Sequence, residues 1–193
     1  MNIHYISLLN QWEAEKKHLM PIIEKALSTG HYVNTTAEIT EKFEKKIAAL
    51  CNTKYAVTLN SGTDALFFAL YLLNVGRGDE VITVPNSFIA TTAVIVHLGA
   101  KPIFVDVGQD QNIDVNLLEK AITKKTKAIL PVHLSGRIVN MNKIMKIAKK
   151  YNIPVIEDAA QAIGSLYYNK PSGSFGKIGC FSTHPLKNLN ACG

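Results

Sequence analysis

Cysteine is scarce in this chain of 193 residues: Cys51, Cys180 and Cys192 are all it has. Their separations fit no metal-ligand pattern, and an odd count leaves at least one thiol unpaired within the chain. Free thiols and a reducing, cytoplasmic setting are therefore expected. No apolar run approaches the ~20 residues that a membrane span needs. The first residues, MNIHYISLLNQWEAEKK, lack the basic stretch and apolar core of a secretory signal. Arginine-rich or aromatic-interleaved basic runs are missing too. The net charge of +6 comes from lysines spread along helical segments, among them Lys16, Lys17, Lys42, Lys45, Lys46, Lys146, Lys149 and Lys150. Charges so dispersed read as solvated helix faces, and neither nucleic acid nor a membrane is expected as a partner. Internal repeats, low-complexity tracts and linkers are likewise missing.

What is present is ordinary globular composition, 47% hydrophobic and 19% charged, in a chain long enough for one domain with a real core. Residues 8–28 carry Leu8, Trp12, Leu19, Ile22, Ile23 and Leu27 at helical spacing. Pro21, which has no N–H for the helical ladder, is expected to kink or divide that helix. Gly30 ends it. Thr36 or Thr40 is expected to cap a second helix striped by Phe43, Ile47 and Leu50. From Lys54 an alternation begins. Strands are predicted over 55–59, 81–84, 103–105, 128–132 and 154–156, and helices over 63–73, 88–98, 116–122 and 140–151. Short strands alternating with helices predict an α/β fold whose mostly parallel sheet is sandwiched by helices. The division read from this pattern is a helical segment, 1–50, and a larger domain, 51–193.

One stretch, Val155 to Lys187, organises the chemistry. The last predicted strand ends in Glu157 and Asp158, at the carboxyl end where ligand-binding groups gather in an open α/β sheet. Adjacent strand residues point to opposite faces, so these two carboxylates make a poor chelating pair. The stretch closes GCFSTHPLKNL, with Ser182 and then Lys187 in a run almost free of other charge. Desolvation lowers a lysine pKa and frees the neutral amine for Schiff-base chemistry. An acid at a strand end, a hydroxyl and such a lysine suit a cofactor with a basic ring nitrogen, a phosphate and an aldehyde, and pyridoxal 5′-phosphate has all three. Elsewhere, NSGTDAL places Gly62 and Thr63 where a strand turns into a helix, a geometry that binds phosphate. PNSFIATT places Phe88 at a similar turn, and Gln161 follows Asp158 by three positions. Each has a plainer reading: an N-cap, a core aromatic, a capping Asp, an exposed lysine. His133 and His184 read equally as loop residues and as ligand contacts. The set is specific only jointly.

At this point the chain resembles the DegT/DnrJ/EryC1/StrS family of pyridoxal-phosphate enzymes, mainly sugar aminotransferases. The resemblance runs through GHYV, FEKKIA, NSGTDAL, GRGDEVITVPNSFIAT, LGAKPIFVDV, PVHLSGR, VIEDAAQAIGS and GCFSTHPLKNL, which is nearly the whole chain. It implies the aspartate-aminotransferase type of PLP-dependent fold (fold type I), with the large domain alone, and that incomplete, in these residues. It implies that Lys187 forms the Schiff base and Asp158 partners the pyridine nitrogen. By the same resemblance Gln161 lies near the ring's phenolic oxygen, Phe88 stacks on the ring, and Gly62, Thr63 and Ser182 cradle the phosphate. A homodimer with active sites at the subunit interface is also implied.

The expected activity is transfer of an amino group, from glutamate, to a keto group on a nucleotide-linked sugar. Two other readings stand beside it. One keeps the family and makes the protein a dehydratase or a cofactor-binding regulator; relatives that eliminate water carry histidine where this chain has Lys187. The other is a nucleotide-binding Rossmann-like module without covalent chemistry, which the absence of G-x-G-x-x-G from NSGTDAL disfavours. Since family members are longer, these residues alone are expected to be inactive, to associate, and to hold Lys187 loosely.

Overall fold

The computed structural model describes residues 6–30 and 38–191. His31 to Val33 of the GHYV stretch, the candidate cap Thr36 and Cys192 lie outside them. Two compact units are present, residues 1–47 and 48–193.

In the first unit, α1 (Leu8–Ser28) opens on Ser7, whose hydroxyl accepts the Asn10 N–H at 3.4 Å. Pro21 lies inside this helix and does not divide it. One missing N–H removes one ladder bond, and in a helix of 21 residues the turns on either side keep theirs. None of its residues is buried, and Leu9 and Ile22 are 68% and 60% exposed. The second helix, α2 (Glu38–Leu50), carries Glu38 and Glu41 in its first turn, where their charge suits the positive end of the helix dipole. Thr40 lies inside this helix and is not its cap.

The second unit runs α3 (Gly62–Leu72), β1 (Glu80–Thr83), α4 (Ile89–His97), β2 (Lys101–Phe104) and α5 (Val115–Leu118), which tightens into a 3-10 turn over Glu119–Ala121. It continues β3 (Thr126–Ile129), α6 (Met141–Tyr151), β4 (Ile156–Asp158), a small hairpin of β5 (Leu166–Tyr167) and β6 (Lys170–Pro171), and β7 (Ile178–Cys180). Strands β2, β1 and β3 pair in that order, all parallel. Beyond β3 the chain bridges to β4 at Ile129–Val155 and Val132–Asp158, and β4 pairs parallel with β7. The result is one continuous parallel succession, β2-β1-β3-β4-β7.

Alternation along these strands builds two cores. Val81, Ala128, Leu130 and Ile156 pack with Leu66 and Leu70 of α3 and Val94 and Ile95 of α4. Their neighbours Ile82, Ile129 and Val155 pack on the other side, with Leu118 of α5 and Ile144 of α6. Leu70, Ile82, Ile95 and Ile129 are fully buried, each contributing roughly 1.5–3 kcal/mol by leaving water. The sheet thus lies between two helical layers, as predicted. No helix among the described residues is long and apolar enough to cross a membrane.

Two strand predictions need correction. Residues 55–59 form no strand: no described ladder pairs them, and Tyr55 and Val57 are 73% and 77% exposed. Their alternating pattern suits a strand, but a strand exists only where a neighbour takes up its N–H and C=O groups. The last predicted strand, 154–156, lies two residues later, at Ile156–Asp158, with Val155 only bridged, so that Glu157 and Asp158 are themselves in the strand.

Candidate active site

The period-two alternation of β4 decides what each carboxylate does. Ile156 faces the α3/α4 core, so Asp158 turns the same way, towards α4, and Glu157 turns to the opposite side. Asp158 is 5% exposed. Its Oδ2 accepts from the Thr91 hydroxyl at 2.7 Å, and its Oδ1 accepts from the Ala160 N–H at 3.2 Å. Burial pushes its carboxyl above the usual range, against the Thr91 and Ala160 hydrogen bonds and the charge of Lys187. Such a group gains from any cation placed beside it.

Glu157 is completely buried, and four donors meet it. Its Oε2 accepts from His133 Nε2 at 2.9 Å and from the Gly173 N–H at 2.8 Å, and its Oε1 from the N–H groups of Phe175 and Gly176 at 2.7 Å each. His133 Nδ1 accepts the Val139 N–H at 3.4 Å, which leaves Nε2 as the protonated nitrogen. Burial raises the Glu157 pKa, but His133 and the loop amides outweigh it and hold the carboxyl below its ordinary value. His133, ambiguous in the sequence, is thus a completely buried partner of Glu157. The loop so anchored packs on β7 too tightly for side chains. A Cβ at Gly179 would stand 2.3 Å from Gly173 Cα, and one at Gly173 (φ +78°) would stand 2.4 Å from the Phe181 ring.

The predicted phosphate-binding positions meet. A Cβ on Gly62 would lie 3.0 Å from Ser182 Cβ and 3.2 Å from the Phe181 carbonyl, so only glycine lets the start of α3 come this close. Ser61, exposed, caps α3 by accepting the Asp64 N–H at 3.0 Å, and Thr63 is exposed beside it. A helix start with a hydroxyl pressed against it can hold an anion.

Lys187 is half-buried, and its charge is felt at Asp158. The segment that carries it is closed on itself. The Lys187 N–H donates to the His184 carbonyl at 2.7 Å, and the Ala191 N–H to the Thr183 carbonyl at 2.7 Å. His184 Nδ1 accepts the Leu186 N–H at 3.2 Å, so this ring holds the turn. Gln161 Oε1 accepts the Ser135 N–H at 2.8 Å, fixing a residue with φ of +52° and leaving the amide NH2 as the donor end. Phe88 stands at the start of α4, 67% exposed.

Thr91 was missed by the sequence reading. The stretch PNSFIATT drew attention to Phe88, yet the informative residue is a hydroxyl in a helix that is otherwise almost wholly apolar. Ser87, 2.7 Å from the Thr91 hydroxyl, was missed with it.

Residues 13–193 match the DegT/DnrJ/EryC1/StrS aminotransferase family. Among relatives, the pleiotropic regulatory protein of Geobacillus stearothermophilus is 41% identical over 100% of this chain and 52% of its own length. The UDP-2-acetamido-2-deoxy-3-oxo-D-glucuronate aminotransferase of Pseudomonas aeruginosa is 42% identical over 99% of this chain and 53% of its own. The crystal structure of ntda from Bacillus subtilis, with bound cofactor PMP, superposes with a TM-score of 0.89 at 36% identity, covering 100% of this chain and 44% of that one. The chain thus spans about half the length of the curated relatives it matches.

Proposed function

The chain belongs to the DegT/DnrJ/EryC1/StrS aminotransferase family, and from that premise we propose that the whole protein transfers an amino group to a keto group of a nucleotide-linked sugar, with pyridoxal 5′-phosphate as cofactor. The observation that carries this reading is Asp158, a buried carboxylate held by Thr91 and Ala160, whose ionised form burial disfavours and a neighbouring cation would restore. A protonated ring nitrogen is such a cation. The phosphate fits the contact of Gly62 with Ser182 at the start of α3, and the half-buried amine of Lys187 fits the aldehyde. When bound, the cofactor supplies an electron-withdrawing pyridinium.

The chain's own residues do the rest. The Asp158 carboxylate keeps a proton on the ring nitrogen. The N–H groups at the start of α3, with Thr63 and Ser182, bind the phosphate. The Gln161 amide NH2, whose oxygen is taken by Ser135, would donate to the phenolic oxygen, and the exposed Phe88 ring would cover the face of the pyridine. Lys187 Nζ would hold the aldehyde of the cofactor and, as the free amine, would be the base that holds a proton taken from the substrate carbon. Residues 51–193 serve as the cofactor-binding domain and residues 1–50 as a helical segment ahead of it. Glutamate is the proposed donor, a homodimer the proposed assembly and the cytoplasm the proposed location.

The test is borohydride reduction of the pyridoxal-phosphate-loaded, full-length protein. The expected result is a stable cofactor adduct at Lys187, absent from Lys187→Ala. Tight binding without a trapped bond at Lys187 would overturn the reading. One relative is called a regulatory protein, and a cofactor-binding regulator is therefore the second reading. Incubation with glutamate separates the two, since a transaminase converts its absorbance to that of the pyridoxamine form and a regulator does not.

A further inference from the structure

Thr91 holds Asp158 in the site above, and Ser87, to which that site assigns no role, stands behind Thr91. Thr91 Oγ1 lies 2.7 Å from Asp158 Oδ2 and 2.7 Å from Ser87 Oγ. Thr91 is 1% exposed, and Ser87 is half-buried at the start of α4. An ionised carboxylate can only accept, and a hydroxyl has one proton to donate. Thr91 therefore gives its proton to Asp158, and Ser87 must donate in turn to Thr91. The chain of hydroxyls has one direction as long as Asp158 is charged, and protonation of Oδ2 would reverse it.

Other groups face Asp158 as well. The charge of Lys187 favours its ionised form. Cys180, its register partner on β7, is held protonated by burial and so places no charge there. Glu157 turns away to the 173–176 loop. Thr91 is the only side chain among the described residues that donates a hydrogen bond to Asp158.

We propose that Thr91, backed by Ser87, is the positioning residue of Asp158: the ordered hydroxyl pair fixes the rotation of the carboxylate, keeps it an acceptor, and so presents its remaining lone pairs to the cofactor's ring nitrogen. This rests on the reading that Asp158 faces that nitrogen, and the variants are chosen to separate the two. Thr91 touches neither substrate nor cofactor in this scheme, so its effect is read as binding and pH dependence.

The probe is pyridoxamine 5′-phosphate, which forms no bond to Lys187, titrated into the full-length apoprotein from about pH 5.5 to 8.5. Thr91→Val keeps the shape and removes the donor. Its expected effect is an affinity about tenfold weaker near neutral pH, the usual scale for one hydrogen bond to a charged group. The acid limb of the profile is expected to move to higher pH, because an ionised Asp158 without its donor gains a proton more readily. Thr91→Ser is expected to restore both, and Ser87→Ala to move the acid limb the same way by less. Where Thr91→Val fails to fold, Ser87→Ala carries the pH comparison, and a wild-type acid limb in it overturns the proposal. Asp158→Asn separates the readings. If it binds the probe as tightly as wild type, Asp158 does not partner the ring, and the reading falls together with the proposal. If it loses affinity while Thr91→Val keeps both wild-type affinity and wild-type acid limb, the proposal alone is overturned.

Discussion

Glu157 and Asp158 are chain neighbours, both buried, and shifted in opposite directions. Burial disfavours each ionised form, but Glu157 meets four donors and Asp158 two. The difference sets two predictions. In Glu157→Gln each of the two terminal atoms still faces two donors, so the amide NH2 is set against N–H groups whichever way it flips. The expected cost is about 2–4 kcal/mol in urea denaturation at neutral pH. The Glu157 pKa is depressed in the folded state, so its contribution is present above the unfolded carboxyl value and lost as pH falls through the folded one. The penalty of the substitution should therefore shrink in acid. Asp158 has the other sign. Its folded pKa is raised, so its ionisation opposes folding of the cofactor-free protein as pH rises through the folded value. Asp158→Asn should raise the melting temperature of the apoprotein at neutral pH, with the gain fading towards the unfolded aspartate pKa near 3.9. A melting temperature lowered equally at both pH values would count against this account.

At the scale of the element, β7 decides where Ser182 and Lys187 begin. The loop over 173–176 is tied to Glu157 by three amides and lies against β7 with no room for a methyl group: a Cβ on Gly179 would stand 2.3 Å from Gly173 Cα and 2.6 Å from its carbonyl. Both obstacles are backbone and cannot rotate away. Gly179→Ala should cost about 1–3 kcal/mol or more through overpacking, and it should weaken pyridoxamine-phosphate binding, because Phe181 and Ser182 follow directly. Wild-type stability and binding in this variant would show that loop and strand have slack. The preceding hairpin turns at Tyr168 and Asn169, with φ of +49° and +60°, a two-residue turn with both central residues in the left-handed region that matches the twist of β5 and β6.

At the scale of the whole molecule, the second unit leaves large apolar side chains in water. Tyr55, Val57, Tyr71, Leu72 and Ile89 are each more than half exposed, at 73%, 77%, 59%, 70% and 69%. Exposed apolar side chains favour association wherever they lie together. As a 193-residue polypeptide the chain should therefore associate, and light scattering coupled to size exclusion should report a mass above 21.2 kDa. A monodisperse monomer would contradict this expectation.

Much of this was legible in the sequence because it depends on local chemistry. Strand–helix alternation follows from hydrophobic period, and Ser61 and Gly62 advertise a helix start through capping and close approach. The acid, hydroxyl and lysine of 157–187 name a type of ligand by their chemistry alone. What only the tertiary structure decided depends on partners distant in the chain. The hydrogen bond of Thr91 to Asp158 spans 67 residues, and the contact of His133 with Glu157 spans 24, so no local pattern could predict either. Residues 55–59 have a strand's alternation yet belong to no described ladder, because pairing belongs to the neighbour as much as to the segment. The opposite fates of two adjacent carboxylates, one locking a loop and one left with lone pairs for a ligand, were set by which face of β4 each occupies and by what the fold had packed there.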